Sequence, residues 1–122
     1  MENLTERQID QLIPSKGIEK YYNNVARLLS VHEFYRHYEL PGMGHCLVNG
    51  PSGGPLNLFN QLRAWVENGT APEETPVKVT DLQGNIQNRI ACPYPQKAVF
   101  NKGCATAAEV RCWSCSGPFN PH

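Results

Sequence analysis

Long apolar runs are missing from this sequence. None approaches the about 20 residues that a membrane-crossing helix needs, and Met1 to Arg7 is polar, without the apolar centre of a secretory leader. Charge of one sign is missing too: eleven basic and eleven acidic residues cancel. Nucleic acid and a charged membrane surface are therefore not expected partners. There is no Gly-Lys-Ser/Thr and no Gly-x-Gly-x-x-Gly, so no phosphate-cradling loop. One serine, Ser52, has the letters of Gly-x-Ser-x-Gly, in Gly50-Pro51-Ser52-Gly53-Gly54, but it sits in the loop just after His45 and not at a strand-to-helix elbow. Ser114 lies between cysteines. With 122 residues the chain makes one domain at most.

What is present points outward from the cell. Five cysteines, ten prolines and the sequons Asn3-Leu4-Thr5 and Asn68-Gly69-Thr70 suit a secreted protein. The polar start conflicts with that, and a truncated view of an extracellular protein resolves the conflict. Asn68 is the expected glycan site, because helix ends are exposed.

The most informative stretch is Phe34 to Cys46. Phe34 to Leu40 has strand propensity, and Ser30 to Leu40 is expected to be a short strand, the last of its sheet. Pro41 ends backbone pairing, and Gly42 and Gly44 permit a sharp turn. His45 then stands on a tight loop, next to Cys46. An imidazole so placed suits general-base work near neutral pH; a plain turn histidine is the other reading. His32 and His37 sit at no turn and are read as sheet or surface residues.

The run Pro41-Gly42-Met43-Gly44-His45-Cys46, preceded by Phe34-Tyr35-Arg36, resembles the end of the fungal tannase and feruloyl esterase family. Asp10-Gln11-Leu12-Ile13-Pro14 is similar to the segment that carries the family's acid. The resemblance runs from about Asp10 to Cys112. It implies a secreted serine carboxylic ester hydrolase of α/β-hydrolase fold, with a signature of a Cys-Ser pair, an Asp and a His-Cys pair. His45 would be the general base and Asp10 the carboxylate that orients it. Asp10 before His45 fits the α/β-hydrolase order of nucleophile, acid, base; on its own, Asp10 would read as a helix cap or turn residue. The nucleophile is not among these residues.

Cys46 is the odd cysteine of five. The resemblance gives it a partner outside this sequence, the cysteine before the nucleophilic serine. Such a bond would be worth on the order of 4–5 kcal/mol in the chain-entropy model. A nucleophilic Cys46 activated by His45 is the competing idea, disfavoured because sequence neighbours rarely face each other in the required geometry. The resemblance also pairs Cys92 with Cys112 in a tail disulfide, leaving Cys104 and Cys115 as an extra pair or unpaired. Zinc held by Cys92, Cys104, Cys112 and Cys115 is the alternative, weakened by a single Cys-x-x-Cys. The family's calcium site, lid and substrate pocket lie in regions this sequence does not match. No metal and no cofactor are expected here.

The remaining elements follow from pattern. Lys16 to Ser30 reads as an amphipathic helix with Tyr21, Tyr22, Val25, Leu28 and Leu29 on its packing face. Leu56 to Glu67 reads as a second, with Pro55 at its first turn and Gly69 at its end. Val77 to Thr80 and Ile86 to Ile90 read as strands about a Gly84-Asn85 turn. Residues 1–9 cannot form the buried strand that should precede the acid and read as a leader foreign to the fold. Residues 10–122 then form the C-terminal part of one α/β-hydrolase domain: a last strand, flanking helices, a short hairpin and a disulfide-bearing tail. The partner expected for the complete enzyme is a small aromatic ester. A non-catalytic remnant or pseudoenzyme module is the alternative, and a chain without the nucleophile is expected to be inactive by itself.

Overall fold

The computed structural model describes residues 15–40, 54–80 and 83–119. Helix α1 spans Ser15–Ala26. Lys16 and Glu19, one turn apart, pair at 2.9 Å on its exposed first turn. It is shorter than its apolar period suggested. After Ala26 the chain turns back, with the Leu28 and Leu29 amides both donating to the Val25 carbonyl. Leu28 and Leu29 thus leave the helix and are exposed, while Tyr22, Ala26 and Val31 are buried together. Tyr35 meets Tyr22 edge-on at 5.1 Å.

The strand expected over Ser30 to Leu40 does not form. Val31–Glu33 is a turn of 3-10 helix, and the extended residues beyond it pair through a single bridge, Tyr38 with Pro93. A strand is stabilised by ladders to its neighbours, and these residues have only one rung.

Helix α2 spans Leu58–Asn68. It starts at Asn57, whose carbonyl accepts from the Gln61 amide at 3.0 Å. Pro55 lies before this start and bridges Val77 instead of filling the first turn. Gly69 ends the helix at φ 71°, a left-handed conformation that favours glycine. Leu58, Phe59, Leu62 and Val66 recur at helical spacing, yet α2 has no buried residue. Phe59 is 72% exposed and Val66 77%.

Four strands follow: β1 Thr75–Thr80, β2 Ile86–Ala91, β3 Lys97–Phe100 and β4 Trp113–Ser116. β1 and β2 form an antiparallel hairpin closing at Thr80 opposite Ile86, with Gly84 at φ 84° in its turn. This matches the sequence reading, extended to Thr75 and Ala91. β3 and β4 form a second antiparallel pair, from Lys97 opposite Ser116 to Phe100 opposite Trp113. Arg89 joins the two pairs, its guanidinium 4.3 Å from the centre of the Trp113 ring. The Trp113 indole N–H donates to the Ala107 carbonyl at 2.9 Å. No parallel sheet occurs among the described residues.

Disulfides complete this part of the chain. Cys92 bonds Cys115, and Cys104 bonds Cys112, with Cα separations of 5.6 and 5.7 Å. The expected Cys92–Cys112 pairing is therefore corrected. Cys112 ends the 3-10 turn Val110–Cys112, where it meets Cys104 in the preceding loop. Cys115 lies inside β4, half-buried like Trp113 two residues earlier, while Ser114 and Ser116 are exposed. Strand alternation aims Cys115 at the end of β2, where Cys92 is buried.

Candidate functional site

The best-defined part of the candidate site is the segment 34–40, which leads toward His45. Two sets of contacts hold it. On one side Arg36 donates from Nε to the His32 carbonyl at 2.7 Å and from Nη1 to the Pro72 carbonyl at 3.1 Å. Its guanidinium also lies over Trp65 at 5.7 Å and Phe119 at 4.8 Å. The Tyr38 hydroxyl donates to the same Pro72 carbonyl at 3.0 Å. A planar cation with five donors suits such a junction, because it bonds two carbonyls while stacking on rings. Burial raises the Tyr38 phenol above its usual value, with the Arg36 charge acting the other way.

On the other side is a cluster of polar and aromatic groups beneath α1. The Tyr94 amide donates to the His37 carbonyl at 2.6 Å. The His37 ring packs 6.1 Å from Tyr22 and 5.9 Å from Tyr94. Its Nε2 faces Glu39 Oε1 at 3.5 Å, the separation of an ion pair, and neither atom has a hydrogen-bond partner. This imidazole holds the Glu39 carboxyl below its usual value; burial opposes the shift, and Lys16 and Glu19 add to it. The Tyr94 hydroxyl accepts from Asn23 Nδ2 at 3.2 Å and faces Glu19 Oε1 at 3.4 Å. Tyr22 is fully buried with an unpartnered hydroxyl, and burial pushes its phenol up against the pull of Arg36.

Asp10, His45 and Cys46 lie outside the described residues, as do Ser52 and the expected leader 1–9. His37 belongs to neither a sheet nor the surface: its side chain is 15% exposed, between rings. His32 is half-buried and stacks on Phe119 at 5.3 Å. Asn68 is exposed at the last position of α2. Ser114 lies in β4, exposed and facing Asn101. The four described cysteines are taken up in disulfides, which overturns the zinc alternative. Among the described residues no group of three or more His, Cys, Asp or Glu could hold a metal ion. An open groove of about 520 Å³ runs between α2 and the connection to β1, lined by Gln61, Ala64 and residues 70–74.

Sequence reasoning missed Arg36, Tyr38, Glu39 and Tyr94 as the supports of this segment. Only one signal hinted at them: an arginine inside an aromatic run that is otherwise read as a strand.

The crystal structure of feruloyl esterase B from Aspergillus oryzae shares this fold. It matches with a TM-score of 0.68 over 88% of this chain and 25% of that chain, at 23% identity. The family model described as "Tannase and feruloyl esterase" matches residues 4–115. The chain belongs to that family, one of carboxylic ester hydrolases. Similar curated proteins include a probable feruloyl esterase B of Aspergillus niger, 33% identical over 87% of this chain and 24% of its own length. A probable feruloyl esterase B-1 of Aspergillus flavus is 34% identical over 88% of this chain and 24% of its own length. The chain thus spans about a quarter of the curated relatives it matches.

Proposed function

We propose that this chain is the C-terminal part of a secreted serine esterase of α/β-hydrolase fold, which cleaves small aromatic esters of the feruloyl or galloyl type. A serine outside these residues attacks the ester carbonyl through its Oγ. His45 takes the serine proton and returns it to the leaving alcohol. The acyl-enzyme is then opened by water, activated by the same imidazole. Asp10 accepts a hydrogen bond from His45 and stabilises the imidazolium, and backbone amides near the serine hold the oxyanion. Cys46 bonds the cysteine beside the nucleophile and ties base to nucleophile.

One observation carries this reading: α2 presents Phe59, Leu62 and Val66 to solvent and has no fully buried residue. An amphipathic helix gains its stability by covering its apolar face. Relatives about four times as long have chain to spare for that task.

The test is to express the longest polypeptide encoded in frame with these residues and assay methyl ferulate hydrolysis. The complete protein is expected to turn over, and His45→Ala to lower kcat on the order of 10⁶-fold. Residues 1–122 alone are expected to show none. Activity that survives His45→Ala would overturn the reading. If the reading frame holds no Gly-x-Cys-Ser-x-Gly, the non-catalytic remnant takes its place.

A further inference from the structure

We propose that Asn68 is an N-glycan acceptor, and that the flank of α2 bearing it is the outward side of the complete protein. The inference uses the extracellular location of the proposed function but none of its chemistry.

Asn68-Gly69-Thr70 is an acceptor sequence, and all three residues are described and exposed. Asn68 is the final residue of α2, and Gly69 turns the chain away immediately at φ 71°. The Gly69 amide donates to the Trp65 carbonyl and the Thr70 amide to the Ala64 carbonyl. The helix end is thus closed by backbone bonds, without help from the Asn68 side chain. A bulky chain on Nδ2 costs this cap nothing.

The apolar stripe lies elsewhere. Asn68 is two residues past Val66, a helical step of about 200°, so it projects from the flank away from Phe59, Leu62 and Val66. A hydrophilic glycan requires solvent, whereas an apolar stripe of this size requires cover. The two demands fall on different sides of one helix and are compatible in one folded protein. The other sequon, at Asn3, lies outside the described residues.

In the transfer step the Asn68 amide nitrogen attacks the anomeric carbon of a lipid-diphosphate-linked oligosaccharide. A carbon–nitrogen bond forms, the bond from that carbon to the phosphate oxygen breaks, and the amide loses one proton. The lipid diphosphate leaves. The donor and its transferase belong to the secretory compartment.

The test is to direct the complete protein through the secretory route of a eukaryotic host and map glycopeptides in cells and medium. A peptide spanning Asn68 should carry the glycan and be released by an amidase as aspartate. Asn68→Gln and Thr70→Ala should each remove that one increment of mass. If either variant is not secreted, the wild-type peptide map still decides. A second variant, Val66→Asn with Asn68→Thr, moves the acceptor onto the apolar stripe. Its secreted yield should fall on the order of tenfold, because a polar chain there blocks burial. An unoccupied Asn68 peptide overturns the acceptor assignment. Undiminished secretion of the glycosylated, shifted variant overturns the assignment of faces. Both readouts are independent of ester hydrolysis, so failure of the esterase reading is distinguishable.

Discussion

Arg36 stacks on Phe119, its guanidinium 4.8 Å from the ring centre, and so joins the segment leading to His45 with the far end of the chain. The same side chain bonds the His32 and Pro72 carbonyls. Arg36→Lys keeps the charge but loses the fork and most of the stacking. In the complete protein it should cost about 2 kcal/mol, the scale of a charged hydrogen bond plus a ring contact. Chemical denaturation checks this, and an unchanged midpoint would remove Arg36 from its supporting role.

Glu39 gives the protein an acid-sensitive contact. Its carboxyl is held low by His37, so the folded state favours the ionised form. The stabilisation is present above glutamate's ordinary value of 4.5 and drains away as pH falls through the lower folded value. Glu39→Gln should flatten the acid limb of the stability–pH curve, costing most near pH 7 and little below the folded value, where the wild-type carboxyl is itself protonated. A variant with the wild-type acid limb would refute the assignment.

Two disulfides of different loop length should differ in weight. The Cys92–Cys115 bond spans 23 residues and the Cys104–Cys112 bond 8. In the chain-entropy model these correspond to about 3.4 and about 2.5 kcal/mol. Serine replacement of each pair, followed by thermal unfolding, should preserve that order. Peptide mapping without reductant should recover 92–115 and 104–112 links; a 92–112 link would contradict the structure.

The stripe on α2 predicts opposite outcomes in two contexts. Leu62→Asp should improve the solubility of residues 1–122 alone, since Leu62 is 55% exposed there. In the complete protein it should cost at least the about 1.5–3 kcal/mol of a buried leucine. The chain alone should aggregate or unfold without a sharp transition. A cooperative monomeric melt would mean that α2 needs no cover.

The elements legible in the sequence are those set by local chemistry. α2 follows from its apolar period and Gly69, and the β1–β2 hairpin from alternation about Gly84. What depends on distant partners was not legible. Residues 34–40 have strand propensity, yet propensity cannot supply neighbours, and only the Tyr38 bridge forms. The end of α1 at Ala26 is decided by Val31, which turns back to pack on Tyr22. Disulfide partners depend on where each cysteine stands in the folded tail, Cys112 in a 3-10 turn and Cys115 within β4, which spacing does not encode. For the candidate site, the motif only proposes Asp10 and His45, which lie outside the described residues, while the supports Arg36, Glu39 and Tyr94 emerge only when separate parts of the chain meet.

Lys102 is exposed in the turn after β3, between Cys92 and Cys115. A protease that cuts the backbone there separates nothing, because the bond from Cys92 to Cys115 still bridges the two pieces. Such a nicked molecule would gain only one water and run as one band until a reductant is added. Intactness judged without reduction therefore overstates the integrity of this protein's backbone.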